Sequence, residues 1–252
     1  MRLTRVYVDK ELRAGSIVEL PRETAQHIAK VLRARSGDQI VLFNGDGREY
    51  AGAIDGIRGS RVTAAVGEGT DVDRESPLGV TLIQCIPRGD RMDFIVQKAT
   101  ELGVRRIVPV LSQRSVVRLD AEQAESKATH WRAVALNACE QCGRARLPRL
   151  DAPVSLVNYL GGTPALGGTP AAPHRLVLEP DVEPSDMPAR LEGHVEIAIG
   201  PEGGFADEEL EAFRLAGFVG VRLGPRILRT ETAAIAALTW LQTRYGDMQA
   251  LV

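Results

Sequence analysis

IGPEGG at residues 199–204 and LGPRILRTETAAIAAL at residues 223–238 share one plan: an aliphatic residue, then Gly-Pro, then a loop. The runs that lead into them, 195–199 and 219–223, have the length and apolar make-up of buried strands. The segments that follow, about 207–216 and 230–245, have helical spacing. A third apolar run, 175–178, ends on Leu178-Glu179-Pro180. Strands alternating with helices predict a parallel sheet covered on both faces. Ligands on such sheets gather at the carboxyl ends of the strands. Glycines at 200, 203, 204 and 224 let the backbone approach a ligand closely, and the prolines hold the loops in a fixed shape. One Gly-Pro pair is an ordinary strand-to-helix turn. Two similar loops, each preceded by an aliphatic residue (Ile199, Leu223), suit a flat hydrogen-bonding ligand such as adenine, held between the side chains and read at its edge by the loop backbone.

Working outward, 80–86 reads as an apolar strand. Residues 90–102 read as a helix with Phe94, Ile95, Ala99 and Leu102 inward and Gly103 as its cap. A strand at 106–111 and a long helix from Ala121 to Gly143 follow. The stretch 161–173, rich in Gly, Pro and Ala, reads as an exposed loop. The first seventy residues have a different rhythm: short β-like runs at 3–8, 16–20, 38–43, 49–54 and 61–66, separated by turn signals such as Asn44-Gly45-Asp46-Gly47. One helix interrupts them, entered at Pro21 and reaching about Ala34, with Ala25, Ile28, Val31 and Leu32 on one face. The expected organisation is a small β-barrel at 1–70, a linker at 71–77 (DVDRESP) and an α/β domain at 78–252.

Composition, with 44% hydrophobic and 25% charged residues among 252, is that of a folded chain with a sizeable core. The formal net charge of −2 excludes a strongly polybasic binder but is unevenly spread. Residues 1–70 carry +2, 71–83 carry −2, 84–149 carry +5 and 150–252 carry −7, so the first half can still present a basic face. The basic residues are 27 Arg and 4 Lys; Arg suits planar contact with phosphates and bases, although genomic bias produces the same excess. Three cysteines and no apolar leader point to a reducing cytoplasm, and no apolar run is long enough for a membrane helix. Cys139 and Cys142 form a C-x-x-C late in a helical pattern. With too few further ligands nearby for zinc, they read as buried helical cysteines.

Neither G-x-x-x-x-G-K-[ST] nor a strand-linked G-x-G-x-x-G is present, which argues against nucleotide triphosphates and dinucleotides. RGDRMDFIVQKATELGV at 88–104, NACEQCGR at 137–144, IGPEGG and LGPRILRTETAAIAAL together resemble the 16S ribosomal RNA uracil-N3 methyltransferase family of the SPOUT superfamily. The resemblance spans nearly the whole chain. It implies a PUA-like β-barrel that binds RNA, followed by a methyltransferase domain with a parallel sheet and a trefoil knot, which general topology rules would not predict. It further implies S-adenosylmethionine as cofactor, the small-subunit 16S rRNA as partner and a homodimer, in keeping with the cytoplasmic, membrane-free location expected from the composition. Matched by motif, the cofactor pocket would use Leu178, Ile199, Gly200, Glu202, Gly203, Leu223, Gly224, Ile227 and Leu228.

Methylation at uridine N3 requires loss of the N3 proton, alignment of the resulting anion with the donor methyl, and stabilisation of charge on O2 and O4. The donor is activated by its own positive charge, so the chemistry demands no metal. Arg229 is the first candidate for contact with the uracil oxygens or a phosphate; a salt bridge to Glu231 or Glu202 is its alternative. Glu231 is a candidate proton acceptor, as are hydroxide and water, while Thr230 and Glu231 also read as helix capping and dipole compensation. Asn137, Glu140, Gln141 and Arg144 recur at helical spacing, either as a solvated face or, by the resemblance, near the active site or subunit interface. RNA contacts are expected from Arg2, Arg5, Arg33, Arg35, Arg88, Arg91, Lys98, Arg114, Gln141 and Arg144. A silent RNA-binding scaffold and a transfer RNA 2′-hydroxyl methyltransferase are the rival readings.

Overall fold

The computed structural model describes residues 3–32, 34–162, 174–183, 190–191 and 193–249. The chain forms two compact units, one of residues 1–75 with 136–147 and the other of residues 76–135 with 148–252.

The first unit is a five-stranded sheet of β1 (Thr4–Tyr7), β2 (Ile17–Glu19), β3 (Gln39–Phe43), β4 (Arg48–Arg58) and β5 (Arg61–Asp71). Its order is β1-β3-β4-β5-β2, with β1 parallel to β3 and the other pairs antiparallel. Strands β4 and β5 join through Gly59-Ser60, where Gly59 at φ +63° supplies the left-handed conformation a two-residue hairpin loop needs. The helix expected from Pro21 to Ala34 is shorter: α1 spans Arg22–Gln26, and a wide turn over His27–Val31 replaces the rest. There the Leu32 N–H donates to the His27 carbonyl, five residues back, at 3.1 Å. The extra residue in that turn rotates the helix phase. Ala25 and Ile28 are therefore buried, but Val31 and Leu32, expected on the same face, are exposed.

The second unit holds a seven-stranded sheet, β6 (Gly79–Cys85), β7 (Arg106–Leu111), β8 (Arg149–Leu150), β9 (Val154–Ser155), β10 (His174–Leu178), β11 (His194–Ile199) and β12 (Val219–Val221). The order is β12-β10-β11-β6-β7-β8, β9 also pairs β7, and every pair is parallel. Pro109 lies inside β7 without a donor for the ladder. The neighbour is broken accordingly, β8 ending opposite Ile107 and β9 resuming opposite Val110.

Strand residues alternate between two cores, as a sheet covered on both faces requires. Leu82, Ile107, Leu176 and Ile197 pack with α2 (Arg91–Glu101), α3 (Ala121–Cys142) and α6 (Thr230–Tyr245). Ile83, Val108, Val177 and Ala198 pack with α4 (Leu156–Gly161), α5 (Asp207–Leu215) and Phe218. On α2, Met92, Ile95, Val96 and Ala99 are buried, whereas Phe94, expected inward, is exposed with the Lys98 ammonium 5.9 Å from its ring centre. Residues 136–142 of α3 belong to the first unit. Of the loop expected at 161–173, residues 163–173 lie outside the described residues.

Candidate functional site

At the carboxyl ends of β10, β11 and β12 the second unit encloses a cavity of about 490 Å³, within the range of small-molecule sites, roughly 300–1,000 Å³. The strand order makes this a switch point. From β6 the chain runs outward to β7 and β8, then returns to place β10 and β11 on the opposite side. Leu178, Ile199, Gly200, Glu202, Gly203, Leu223, Gly224, Ile227 and Leu228 all line this one cavity. Arg114, Phe205, Thr230 and Ala233 complete much of the wall.

Leu178, Leu223 and Leu228 are half-buried against the core, Ile199 is fully within it, and Ile227 is 88% exposed at the rim. Gly224, at φ +71°, turns its loop in a conformation that disfavours other residues. A Cβ at Gly200 would stand 3.3 Å from the Phe205 ring, tighter than a relaxed contact. Four carboxylates, of Glu179, Asp181, Glu202 and Asp207, share the lining with the guanidiniums of Arg114, Arg222 and Arg226. Apolar walls, close backbone approach and acidic groups fit a ligand with a flat ring and a positive charge.

Two residues that the sequence did not single out, Glu209 and Gln84, support the site. The Glu209 carboxylate accepts from the backbone N–H groups of Ala206 (2.9 Å) and Gln113 (2.7 Å), tying the loop of Arg114 to the start of α5. The Arg114 guanidinium then donates to the Gly203 carbonyl at 3.2 Å. Glu209 three residues into A-D-E-E is half of a capping box and was detectable. Gln84, fully buried, donates to the Cys85 carbonyl (2.8 Å) and to the Thr230 hydroxyl (2.9 Å), and that hydroxyl donates to the Gly200 carbonyl (2.7 Å). An amide near the end of a largely apolar strand was its only signal. Thr230 therefore does not cap α6 with its side chain; Arg229 is the N-cap residue, and no side chain caps that end.

Arg229 is exposed and forms no ion pair with Glu231 or Glu202 among the described residues. Arg91 takes that place, 2.6 Å from Glu202 Oε1 and 3.9 Å from Glu231 Oε1. The Arg88 backbone N–H also reaches Glu202, at 3.3 Å. Glu231 is largely buried, and its Oε2 has no hydrogen-bond partner among the described residues.

The expected RNA-contacting set divides. Arg88 and Arg114 are exposed and Arg91 is partly so, in the second unit. Arg35 and Gln141 are exposed in the first, and Arg2 and Arg33 lie outside the described residues. Lys98 is paired with Glu101 at 2.8 Å. Arg5 and Arg144 are corrected: they are only 8% and 4% exposed. Arg5 is ion-paired with Glu49, donates to the Arg144 carbonyl at 2.9 Å, and lies over the Phe43 ring at 4.7 Å. Arg144 grips Glu75 at 3.0 and 2.5 Å. Both guanidiniums are fixed on largely buried carboxylates within the first unit. Helix α3 ends at Cys142, so Arg144 leaves the stripe expected with Asn137, Glu140 and Gln141. Glu140 is half-buried and accepts from the Tyr7 N–H at 3.0 Å, and burial pushes its carboxyl above the usual range. Burial pushes the Cys85 and Cys139 thiols up to about 12, which keeps them protonated and unreactive. Among the described residues no group of three or more His, Cys, Asp or Glu is placed to hold a metal ion, and no helix is long and apolar enough to cross a membrane.

Residues 74–242 match the family model of an RNA methyltransferase domain, and residues 20–66 that of an RNA methyltransferase PUA domain. The chain is 31% identical to ribosomal RNA small subunit methyltransferase E of Buchnera aphidicola (subsp. Schizaphis graminum), covering 98% of both chains. It is 33% identical to the protein of that name in Bacillus subtilis, covering 91% of this chain and 93% of that one. Among solved structures, that of a Legionella pneumophila protein described as a methyltransferase, with the cofactor SAM bound, superposes with a TM-score of 0.91 at 39% identity, covering 98% of this chain and all of that one. A Neisseria gonorrhoeae ribosomal RNA small subunit methyltransferase E, bound to S-adenosylmethionine, gives 0.86 at 35% identity with the same coverage.

Proposed function

The chain belongs to the ribosomal RNA small subunit methyltransferase E family, and from that premise we propose that it methylates N3 of one uridine in 16S ribosomal RNA, with S-adenosylmethionine bound in the cavity of the second unit. The observation that carries this reading is the convergence of Leu178, the 199–204 loop and the 223–228 loop on one cavity with apolar walls and acidic groups. When bound, the cofactor supplies a methyl group on positively charged sulfur.

The protein's own residues divide the remaining work. Leu178, Ile199, Leu223, Ile227 and Leu228 hold the flat ring, and the backbone at Gly200, Gly203 and Gly224 reads its edge. Glu202, fixed by Arg91, keeps negative charge near the cationic ligand. Glu231 accepts the N3 proton; its unpartnered buried oxygen supports that role. Arg229, free of ion pairs among the described residues, faces the uracil oxygens or the adjoining phosphate, and Arg88, Arg91, Arg114, Arg35 and Gln141 contact the RNA backbone. We read the first unit as a PUA-like β-barrel, the segment beyond β12 as threaded into a trefoil knot, and the active form as a cytoplasmic homodimer in which the rim residue Ile227 gains cover.

Incubating the protein with small ribosomal subunits and methyl-labelled cofactor should place the label on N3 of one uridine. Label on ribose, or on transfer RNA alone, overturns the assignment. Replacing Arg229 with Ala should lower turnover roughly 10–100-fold, the worth of one charge-assisted hydrogen bond, while cofactor affinity stays within about threefold. Weakened cofactor binding with unchanged turnover at saturation contradicts the role.

A further inference from the structure

We infer that Gln84 and Thr230 are positioning residues for the cofactor site: a buried chain from amide to hydroxyl to carbonyl holds the Gly200–Gly204 loop in its binding form. The inference rests on the placement of S-adenosylmethionine proposed above.

Gln84 is in register with Ile199 of the neighbouring strand, one residue before the loop begins, and is fully buried. Its Oε1 has no hydrogen-bond partner among the described residues. An unpaired buried acceptor is unfavourable, and an aliphatic side chain like its neighbours Leu82 and Ile83 would avoid it. What Gln84 contributes is its donor end. The Thr230 hydroxyl carries one proton. Because it accepts from Gln84 Nε2 at 2.9 Å, its own proton is directed to the Gly200 carbonyl at 2.7 Å. Without the amide, the hydroxyl loses the donor that occupies its lone pair and is held by the Gly200 carbonyl alone.

The Gly200 carbonyl belongs to the Gly200–Pro201 peptide, where the chain leaves the sheet, so fixing it fixes the entry of the loop. Thr230 is also the first residue of α6 and lines the cavity. One hydroxyl thus joins the end of β6 to the loop after β11 and the start of α6, and the last two of these line the cavity. A site held ready in this way binds without the cost of ordering its loop.

The test is a calorimetric titration of S-adenosylmethionine into the full chain, with wild type, Thr230→Val, Thr230→Ser and Gln84→Met compared at 25 °C and a thermal midpoint recorded for each. Thr230→Val and Gln84→Met should each raise the cofactor Kd by about tenfold or more, while Thr230→Ser stays within about threefold of wild type and the KM for small-subunit RNA stays within about twofold throughout. Gln84→Met removes the unpaired oxygen and keeps the volume, so it reads the role even where Thr230→Val does not fold. A lower midpoint with an unchanged Kd in Gln84→Met marks a purely structural role and overturns the inference, as does a Thr230→Ser variant no better than Thr230→Val. Failure of the wild type itself to bind S-adenosylmethionine brings down the cofactor assignment, and this inference with it.

Discussion

Gly200→Val should raise the Kd for S-adenosylmethionine at least about 100-fold, near 2.7 kcal/mol, and abolish methylation at ordinary cofactor concentrations. The first added carbon already stands 3.3 Å from two atoms of the Phe205 ring. That ring has no room to retreat: it meets Phe213 edge-on at 4.9 Å, and Phe213 meets Phe218 in the same way at 4.9 Å. The methyl groups of valine are therefore forced toward the cavity that Gly200 lines. Overpacking should cost about 1–3 kcal/mol in stability, which circular dichroism separates from the binding defect. A variant that binds the cofactor within about threefold of wild type would show that the ligand does not approach this backbone.

Arg144→Ala should destabilise the first unit by about 3–5 kcal/mol, the cost of breaking a buried ion pair from one side. The Glu75 carboxylate, itself 14% exposed, would be left without the guanidinium that holds both its oxygens. Replacing both partners, with Arg144→Met and Glu75→Leu, should recover most of the loss because no buried charge remains unpaired. Hydrogen exchange of the β3, β4 and β5 amides reads the unit directly. A loss below about 1 kcal/mol in the single variant would mean that water reaches the pair and screens it.

The parts of this molecule legible in the sequence are those where the backbone itself sets the requirement. A loop that must leave a strand sharply and come close to a ligand needs glycine and proline, so residues 199–204 and 223–228 announced themselves, and the strands before them followed from apolar run length. Side-chain pairing over long separations left no such trace. Arg5 and Arg144 look the same in a sequence whether they face phosphate or a buried carboxylate, and their partners Glu49 and Glu75 lie 44 and 69 positions away. The wide turn at His27–Val31 was hidden because apolar spacing assumes a constant helical pitch. Thr230 read as a cap because its position next to a helix start is visible, whereas the Gly200 carbonyl, 30 residues away, is not.

Helix α3 starts in one unit and finishes in the other, so the first unit is assembled from two separated pieces of chain. This has a bearing on how the protein is made. The strands β1 to β5 are complete once residue 71 has been synthesised, yet Glu75 has no Arg144, and the Arg5 side chain no Arg144 carbonyl, until the peptide has grown past residue 144. At about 5–20 residues per second that interval lasts several seconds. During it the amino-terminal sheet waits with charged groups awaiting partners, and its final consolidation follows the synthesis of β6, α2 and β7. The first unit can thus be finished only after residue 147, when the second unit is partly made and its strands β8 to β12 are still to come.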